Sequence, residues 1–559
     1  MIRPESGFQD DSVNATIRPV MQRTQIMIPV WIPVALLMFG AFLLRIIGID
    51  WGLPTAGRLW SFHPDESQVL VAAQDLNIFT GRLDNGFYNY GQWFLLTTGT
   101  LIHIGERFGL LRAPVAGGIP TAEALLIARL VSAILGTATV WFVMDTAKRV
   151  GSKACGLLAG SVYSVMPLAT QHAHFATVDV AATFWISVAM WGAVGFCTNG
   201  SKRSMMIAAL AVGFAAATKY NAGLSLFSLV LAWALRPTRQ LSLLVALLTV
   251  TGITFVFGCP GILLNTSQFL NDLTFEARHM GSGSENIFVD TLPALFYHPF
   301  INGPWAVGYL WPAIGVSLIH VLIRRRHEDF ILAIFLVPYF ALIGMAQVKF
   351  ARYGLPLLPV LAVFTGYLFQ KRASGRNYLG WFAALCTILT APVTVGWVHQ
   401  FTVEDSRSLA AKAIRTSQLP TVLFARRPWF WSPSLSPEIG HFSPGYAAKN
   451  AQTFEGPPSL IVPTLSSEWD TELLLSSEAA SLVISEIEVT DVLRLHNKKT
   501  ELYLDAAKRI YPRVAVYGTP LRVPGLTPFR NTLYGGWMTL QNAPHDMLYV
   551  NPQIWVLTR

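Results

Sequence analysis

Two adjacent carboxylates, in Phe62-His63-Pro64-Asp65-Glu66, stand in a polar loop directly after the first long apolar stretch of the chain. Ionised groups beside a bilayer are costly and tend to mark function. An aspartate in such a place suits general-base work, and its neighbour suits orienting it. The surrounding loop carries Trp60, Asn85, Tyr88, Asn89 and Tyr90, side chains that suit sugar hydroxyls and sugar faces. Together these residues imply transfer of a group from a lipid-borne donor at a membrane surface. A purely structural alternative runs beside this one. Pro64 suits the first position of a helix, where Asp65 and Glu66 would complement the helix dipole.

A second acidic group stands in Gln171-His172-Ala173-His174-Phe175-Ala176-Thr177-Val178-Asp179, a polar run that opens an apolar stretch. Asp179 is either a helix-start residue or a second acidic group of the site, and the polar residues before it favour the functional reading. The spacing of His172 and His174 suits one face of a strand rather than of a helix, which is thin support for a metal. No cofactor is required by these residues, and a divalent metal rests on that pair alone. Cys155, Cys197, Cys259 and Cys386 lie in or beside apolar runs at no metal-ligand spacing, which argues against disulfides and a zinc site.

Cations supply the other half. Lys219 interrupts two apolar stretches in Thr218-Lys219-Tyr220-Asn221. Arg278 and His279 stand in an expected outer loop, and Lys349, Arg352 and Tyr353 in Lys349-Phe350-Ala351-Arg352-Tyr353-Gly354. Isolated outer-face cations run against the usual charge bias, so an anionic partner accounts for them, and arginine suits bidentate phosphate binding. Snorkelling to lipid headgroups is the bland account of each.

These residues need a membrane scaffold to meet. The 559 residues are 52% hydrophobic and only 13% charged, with mean hydropathy +0.44, against roughly a quarter charged in soluble chains. The net charge of +9 falls in short clusters between apolar runs, a topology signal rather than a nucleic-acid footprint. Lys148, Arg149 and Lys153, then Lys202 and Arg203, Arg236 and Arg239, Arg324 to Arg326, and Lys371, Arg372 and Arg376 mark cytoplasmic loops. Residues 1–27 are expected to be a cytoplasmic tail and 28–398 a membrane module, with an outer catalytic loop at about 50–92. The expected fold is mainly α and polytopic, with about 11–13 transmembrane helices. The short segment Trp93–Phe108 upsets simple alternation, and giving the basic loops priority leaves about eleven crossings. From 399 to 559, helix-like stretches such as Ser406–Ser417 alternate with strand-like Val422–Phe424, Leu460–Val462, Leu482–Ser485, Val514–Tyr517 and Ile554–Leu557. That alternation predicts a soluble, non-cytoplasmic α/β domain.

The order of the Phe62-His63-Pro64-Asp65-Glu66 motif, the Asp179 segment, Thr218-Lys219-Tyr220, and Arg352-Tyr353 with Pro356 and Pro359 resembles the protein O-mannosyltransferase superfamily. These are integral-membrane glycosyltransferases with the type C fold and include bacterial aminoarabinose transferases. The resemblance covers roughly residues 28–398. One departure is His174, where members often carry arginine five positions before the matching aspartate. The resemblance implies an inverting glycosyltransferase with a polyprenyl-phosphate sugar as donor. Asp65 would be the base, Glu66 and Asp179 would orient the acceptor or tune Asp65, and Lys219, Arg352 and Arg278 would hold the donor phosphate. His63, Tyr88, Tyr90, His174, His279, Lys349 and Tyr353 complete the expected substrate contacts. The acceptor would be a protein, glycan or lipid, at the periplasmic side of an inner (plasma) membrane. A transporter or flippase of lipid-linked or anionic substrates is the alternative from another class.

Overall fold

The computed structural model describes residues 31–111, 121–282, 287–370, 377–436, 462–494, 498–519 and 544–559. The expected tail 1–27, the basic cluster at Lys371, Arg372 and Arg376, and the loop from Pro520 to Pro528 lie outside the described residues. The chain is mostly helical. Its first helices are α1 (Trp31–Ile46), α2 (Glu66–Gln74), α3 (Trp93–Arg107), α4 (Ala122–Val150), α5 (Lys153–Ser164) and α6 (Pro167–His172). They are followed by α7 (Val178–Asn199), α8 (Lys202–Thr218), α9 (Leu226–Ala234), α10 (Leu241–Gly258), α11 (Gly261–Leu264) and α12 (Thr266–Ser282).

Among the described residues six helical stretches are long and apolar enough to cross a membrane: Ala122–Val150, Val178–Asn199, Leu241–Gly258, Ala294–Arg324, His327–Gly344 and Tyr378–Thr416. Shorter apolar helices lie at Trp31–Ile46 and Tyr220–Ala234. This is a multi-pass membrane protein. Proline and glycine account for the places where an apolar run is not one helix. The run Ala154–Leu168 breaks into α5 and α6 because Pro167 holds Met166 extended. The run Trp305–Ile323 breaks at Gly308, whose φ of 62° ends one short helix before Trp311–Arg324 begins. The stretch around Arg278 and His279, expected to be a loop, is the last part of α12. Its apolar and polar residues recur at helical spacing, a period that the glycines Gly281 and Gly283 masked in the sequence.

The C-terminal region carries a five-stranded sheet in the order β2-β1-β3-β5-β4, with β1 (Val422–Phe424), β2 (Thr464–Ser466), β3 (Ser481–Ser485), β4 (Arg513–Tyr517) and β5 (Ile554–Thr558). β1 runs parallel to both β2 and β3, while β5 lies antiparallel between β3 and β4. The register pairs Leu423 with Leu482 and Val483 with Val556, so apolar side chains of three strands share each face. The second strand starts later than the expected Leu460–Val462. Pro463 has no N–H to give to a ladder, and only its carbonyl is used, accepting from Val422 N at 3.0 Å.

Two buried arginines join these parts. Arg129 of α4 gives Nε and Nη2 to the two carboxylate oxygens of Glu66, at 2.8 and 2.7 Å, and its Nη1 to the carbonyls of Ile49 and Trp51. Glu66 also accepts from Ala176 N at 2.8 Å. Burial is the strongest single influence and works to raise the pKa of Glu66, but the charge and hydrogen bonds of Arg129, with His63 and Ala176 N, together outweigh it and hold the carboxyl below its ordinary value. Arg407 grips Asp405 with two bonds of 2.7 Å and donates to the carbonyls of Phe430 and Tyr549, while its guanidinium covers the Phe62 ring at 3.9 Å. Asp405 in turn accepts from Trp51 Nε1 at 3.1 Å.

Removing one member of a buried pair strands the other. Arg129→Met should therefore cost about 3–5 kcal/mol, read as a lower melting temperature of the purified protein in detergent. Glu66→Gln should cost less, because the amide still accepts from Arg129. Wild-type melting of the Arg129→Met protein would remove this pair from the framework.

Candidate active site

The Arg129–Glu66 pair fixes the first turn of α2, and Asp65 is the residue just before it. Asp65 occupies the N-cap position, yet its side chain makes no capping bond. The dipole-complement account of Asp65 and Glu66 thus fits neither well: Glu66 belongs to Arg129, and Asp65 leaves the helix end to face Arg352, 3.3 Å away. His63 holds the loop from within. Its Nδ1 accepts from Asp65 N at 3.1 Å, and its ring packs against Phe175 and Tyr549. Burial pushes the His63 imidazole down to about 4, so it is neutral and can serve as that acceptor.

A second ion pair stands beside the first. Asp179 lies in the first turn of α7, and Lys219 follows the last residue of α8, so an antiparallel pair of helices delivers both to one end. Lys219 Nζ meets Asp179 Oδ1 at 2.6 Å and lies 5.1 Å from the centre of the Tyr353 ring. Close backbone approach fixes the neighbouring loop. Gly91 lies so near the turn before Lys219 that a Cβ there would stand 2.0 Å from Ala217 O. Tyr220 then donates to the carbonyls of Tyr88 and Tyr90.

Both pairs line one cavity of about 950 Å³, together with Tyr90, Tyr353, His279, Gln68, Asn85 and Asn89. Of the residues expected from the sequence, the structure brings Asp65, Asp179, Lys219, Arg352, Tyr90, Tyr353 and His279 to it. Glu66 and His63 stand behind the wall and position it. Tyr88 is buried, its hydroxyl bonded to Asp84. His174 sits with its two ring nitrogens against the carbonyls of Thr170 and Ile47, stacked on Phe401 at 4.2 Å. Lys349 points to Phe288 O and Thr291 Oγ1, and Arg278 is exposed on α12 outside the cavity lining. Trp60 also lies outside that lining. Among the described residues no group of three or more His, Cys, Asp or Glu is arranged to hold a metal ion.

Sequence reasoning missed a whole wall of the cavity, made by Trp429, Phe430, Trp431, His545 and Tyr549 from the C-terminal region. Asp546 accepts from the backbone N–H groups of Ala351 and Arg352 at 2.9 and 2.7 Å, and Tyr549 accepts from Arg352 Nη1 at 3.1 Å. The short Trp429-Phe430-Trp431 run was a legible signal for ring stacking. Nothing local in the sequence ties Tyr549 to Arg352.

Comparison with known proteins bears on the scaffold. The family model described as dolichyl-phosphate-mannose-protein mannosyltransferase matches residues 123–262. No curated protein matches the sequence. The solved structure of ArnT from Cupriavidus metallidurans bound to undecaprenyl phosphate is similar over 89% of this chain and 99% of that one, with TM-score 0.50 and 16% identity. The archaeal oligosaccharyltransferase AglB from Archaeoglobus fulgidus, in complex with an inhibitory peptide and a dolichol-phosphate, covers 90% of this chain and 74% of its own, with TM-score 0.47 and 13% identity. The membrane bundle with its C-terminal α/β region is the type C glycosyltransferase fold.

Proposed function

We propose that this chain is an inverting glycosyltransferase that moves a sugar from a polyprenyl-phosphate donor to an acceptor hydroxyl. The observation that carries the proposal is the pair of ion pairs, Asp65–Arg352 and Asp179–Lys219, facing one cavity of the membrane bundle. The Cupriavidus protein of the same fold binds undecaprenyl phosphate, the class of lipid that such a donor would leave behind.

The acceptor oxygen attacks the anomeric carbon and forms the new glycosidic bond. The bond from that carbon to the phosphate oxygen breaks, and its electron pair leaves with the polyprenyl phosphate. Asp65 takes the acceptor's proton. Arg352 and Lys219 hold the phosphate and stabilise the charge that grows on it. As the phosphate engages Arg352, the guanidinium is drawn from Asp65, which frees the carboxylate for the proton. Asp179 keeps Lys219 in place.

The site is proposed to face the periplasm or cell exterior. α7 runs from Asp179 at the cavity to Asn199, and α8 returns from Lys202 to the turn before Lys219. The basic pair Lys202 and Arg203 therefore marks the far end, which charge bias assigns to the cytoplasm. The transport alternative would need ionisable groups reachable from both faces. The two pairs described here gather in a single cavity, which favours transfer.

Release of polyprenyl phosphate from a radiolabelled polyprenyl-phosphate sugar tests the activity directly. Asp65→Asn should lower turnover by roughly 10²–10⁴ while undecaprenyl phosphate still binds; full turnover in a folded Asp65→Asn protein would remove Asp65 from the chemistry. Arg352→Ala should weaken undecaprenyl phosphate binding and slow transfer. Arg352→Lys should rescue only part of this, because the fork is lost. Unchanged binding and rate in both would assign Arg352 to holding the C-terminal segment alone.

Sidedness has its own test. Ser476 and Thr238 are exposed on the C-terminal region and on the basic loop after α9. A single cysteine at Ser476 in a cysteine-free background should label with an impermeant thiol reagent in intact cells. One at Thr238 should label only after permeabilisation, and the reverse pattern would place the site inside.

A further inference from the structure

The transfer chemistry uses Tyr549 of the C-terminal wall, which bonds Arg352, and leaves Trp429 and His545 without a role. Its centre is a buried pair: His545 Nδ1 lies 2.8 Å from Asp491 Oδ1, with the side chains 7% and 4% exposed. The carboxylate takes the Nδ1 edge of the ring and leaves Nε2 as the edge turned away from the pair. No described residue bonds Nε2, and His545 lines the cavity. Phe430 packs on the His545 ring at 6.2 Å and on Trp429 at 4.7 Å; Trp429 is half-buried, lines the same cavity and is also edge-on to Trp431 at 4.9 Å, so the indole is locked in place. Gln68 lies three residues after Asp65 on the same helix face and lines the same cavity.

We propose that Trp429 and the His545–Asp491 pair form the acceptor subsite, and that the acceptor is a saccharide. The proposal rests on the glycosyltransferase reading. A locked indole face suits the apolar C–H face of a pyranose ring, and the Nε2 edge of a fixed imidazole suits a hydrogen bond with one of its hydroxyls. An acyl chain would call for an apolar wall throughout, whereas this wall sets the polar groups of His545 and Tyr549 beside the rings of Trp429, Phe430 and Trp431. The volume of about 950 Å³ has room for a sugar ring beside the donor's own. Asp546, next to His545, caps the Arg352 backbone, so the acceptor subsite and the donor-phosphate residue are held by one segment.

The test uses the full-length protein in detergent on an array of defined mono- to tetrasaccharides, with an array of peptides beside it and undecaprenyl phosphate binding measured separately. Wild type should retain a subset of saccharides. Trp429→Ala and His545→Ala should each weaken that retention by about tenfold and leave undecaprenyl phosphate binding intact. Trp429→Phe and His545→Gln, which preserve packing, should fall between. Saccharide retention that is absent, or equal in wild type and all four variants, overturns the subsite while lipid binding keeps the transferase reading standing. Retention of peptides instead of saccharides overturns it too. Failure of wild type to bind undecaprenyl phosphate brings down the donor reading, and the subsite with it.

Discussion

The bidentate grip of Arg129 on Glu66 is the constraint on which the site depends. A buried carboxylate needs a partner, and a buried guanidinium needs its donors used. Arg129 meets both demands by drawing together a membrane helix, the carbonyls of Ile49 and Trp51, and the first turn of α2. Ala176 N joins the same carboxylate, which brings the segment leading to Asp179 into register. Glu66 is thereby buried and turned away from the cavity. Its neighbour Asp65, one residue earlier and on the other side of the helix start, is left facing the cavity. Two adjacent carboxylates thus take opposite parts, one in the framework and one at the surface of the site.

The C-terminal region is part of that site rather than an attachment to it. β5 lies between β3 and β4, and the segment just before it reaches over the membrane bundle. Asp546 satisfies two backbone donors at Ala351 and Arg352 that would otherwise face an apolar surround. Arg407 secures the same segment from the other side, bonding the carbonyls of Phe430 and Tyr549 while packing on Phe62. The loop before Asp65, the Trp429 run and Tyr549 are therefore positioned by one cation. This explains why residues some five hundred positions apart in sequence line a common wall.

Much of this was legible in the sequence, for reasons that differ by element. Four of the five strands stand where β-branched and apolar runs between turn residues placed them, because a sheet core needs such runs whatever surrounds it. Asp65, Asp179, Lys219 and Arg352 stood out because isolated charges beside apolar helices demand an explanation. Their division of labour was not legible. Glu66, His63 and Lys349 share composition and location with the cavity residues, and only tertiary contacts, of Glu66 with Arg129, of His63 with Phe175 and Tyr549 and of Lys349 with Thr291, set them behind the wall. His174 reads like a polar site residue too. Its position between two carbonyls depends on α1 and α6 meeting, which no local pattern encodes.

The paired state of the cavity also bears on how the site could work. Arg352 and Lys219 are mostly buried, at 11% and 14% side-chain exposure, and each is held by a carboxylate. A bare buried cation would cost roughly 3–5 kcal/mol, so the site needs these partners to keep its cations in place. In the proposed reaction a phosphate would take the place of a carboxylate on its cation, and the cost would fall on the carboxylate displaced. The asymmetry between the pairs gives that exchange a direction. Asp179 is nearly sealed in at 6% exposure, with a bond of 2.6 Å to Lys219, whereas Asp65 is 26% exposed and meets Arg352 at 3.3 Å. The longer, wetter pair is the easier one to open, and it is the one whose carboxylate is left free when it does.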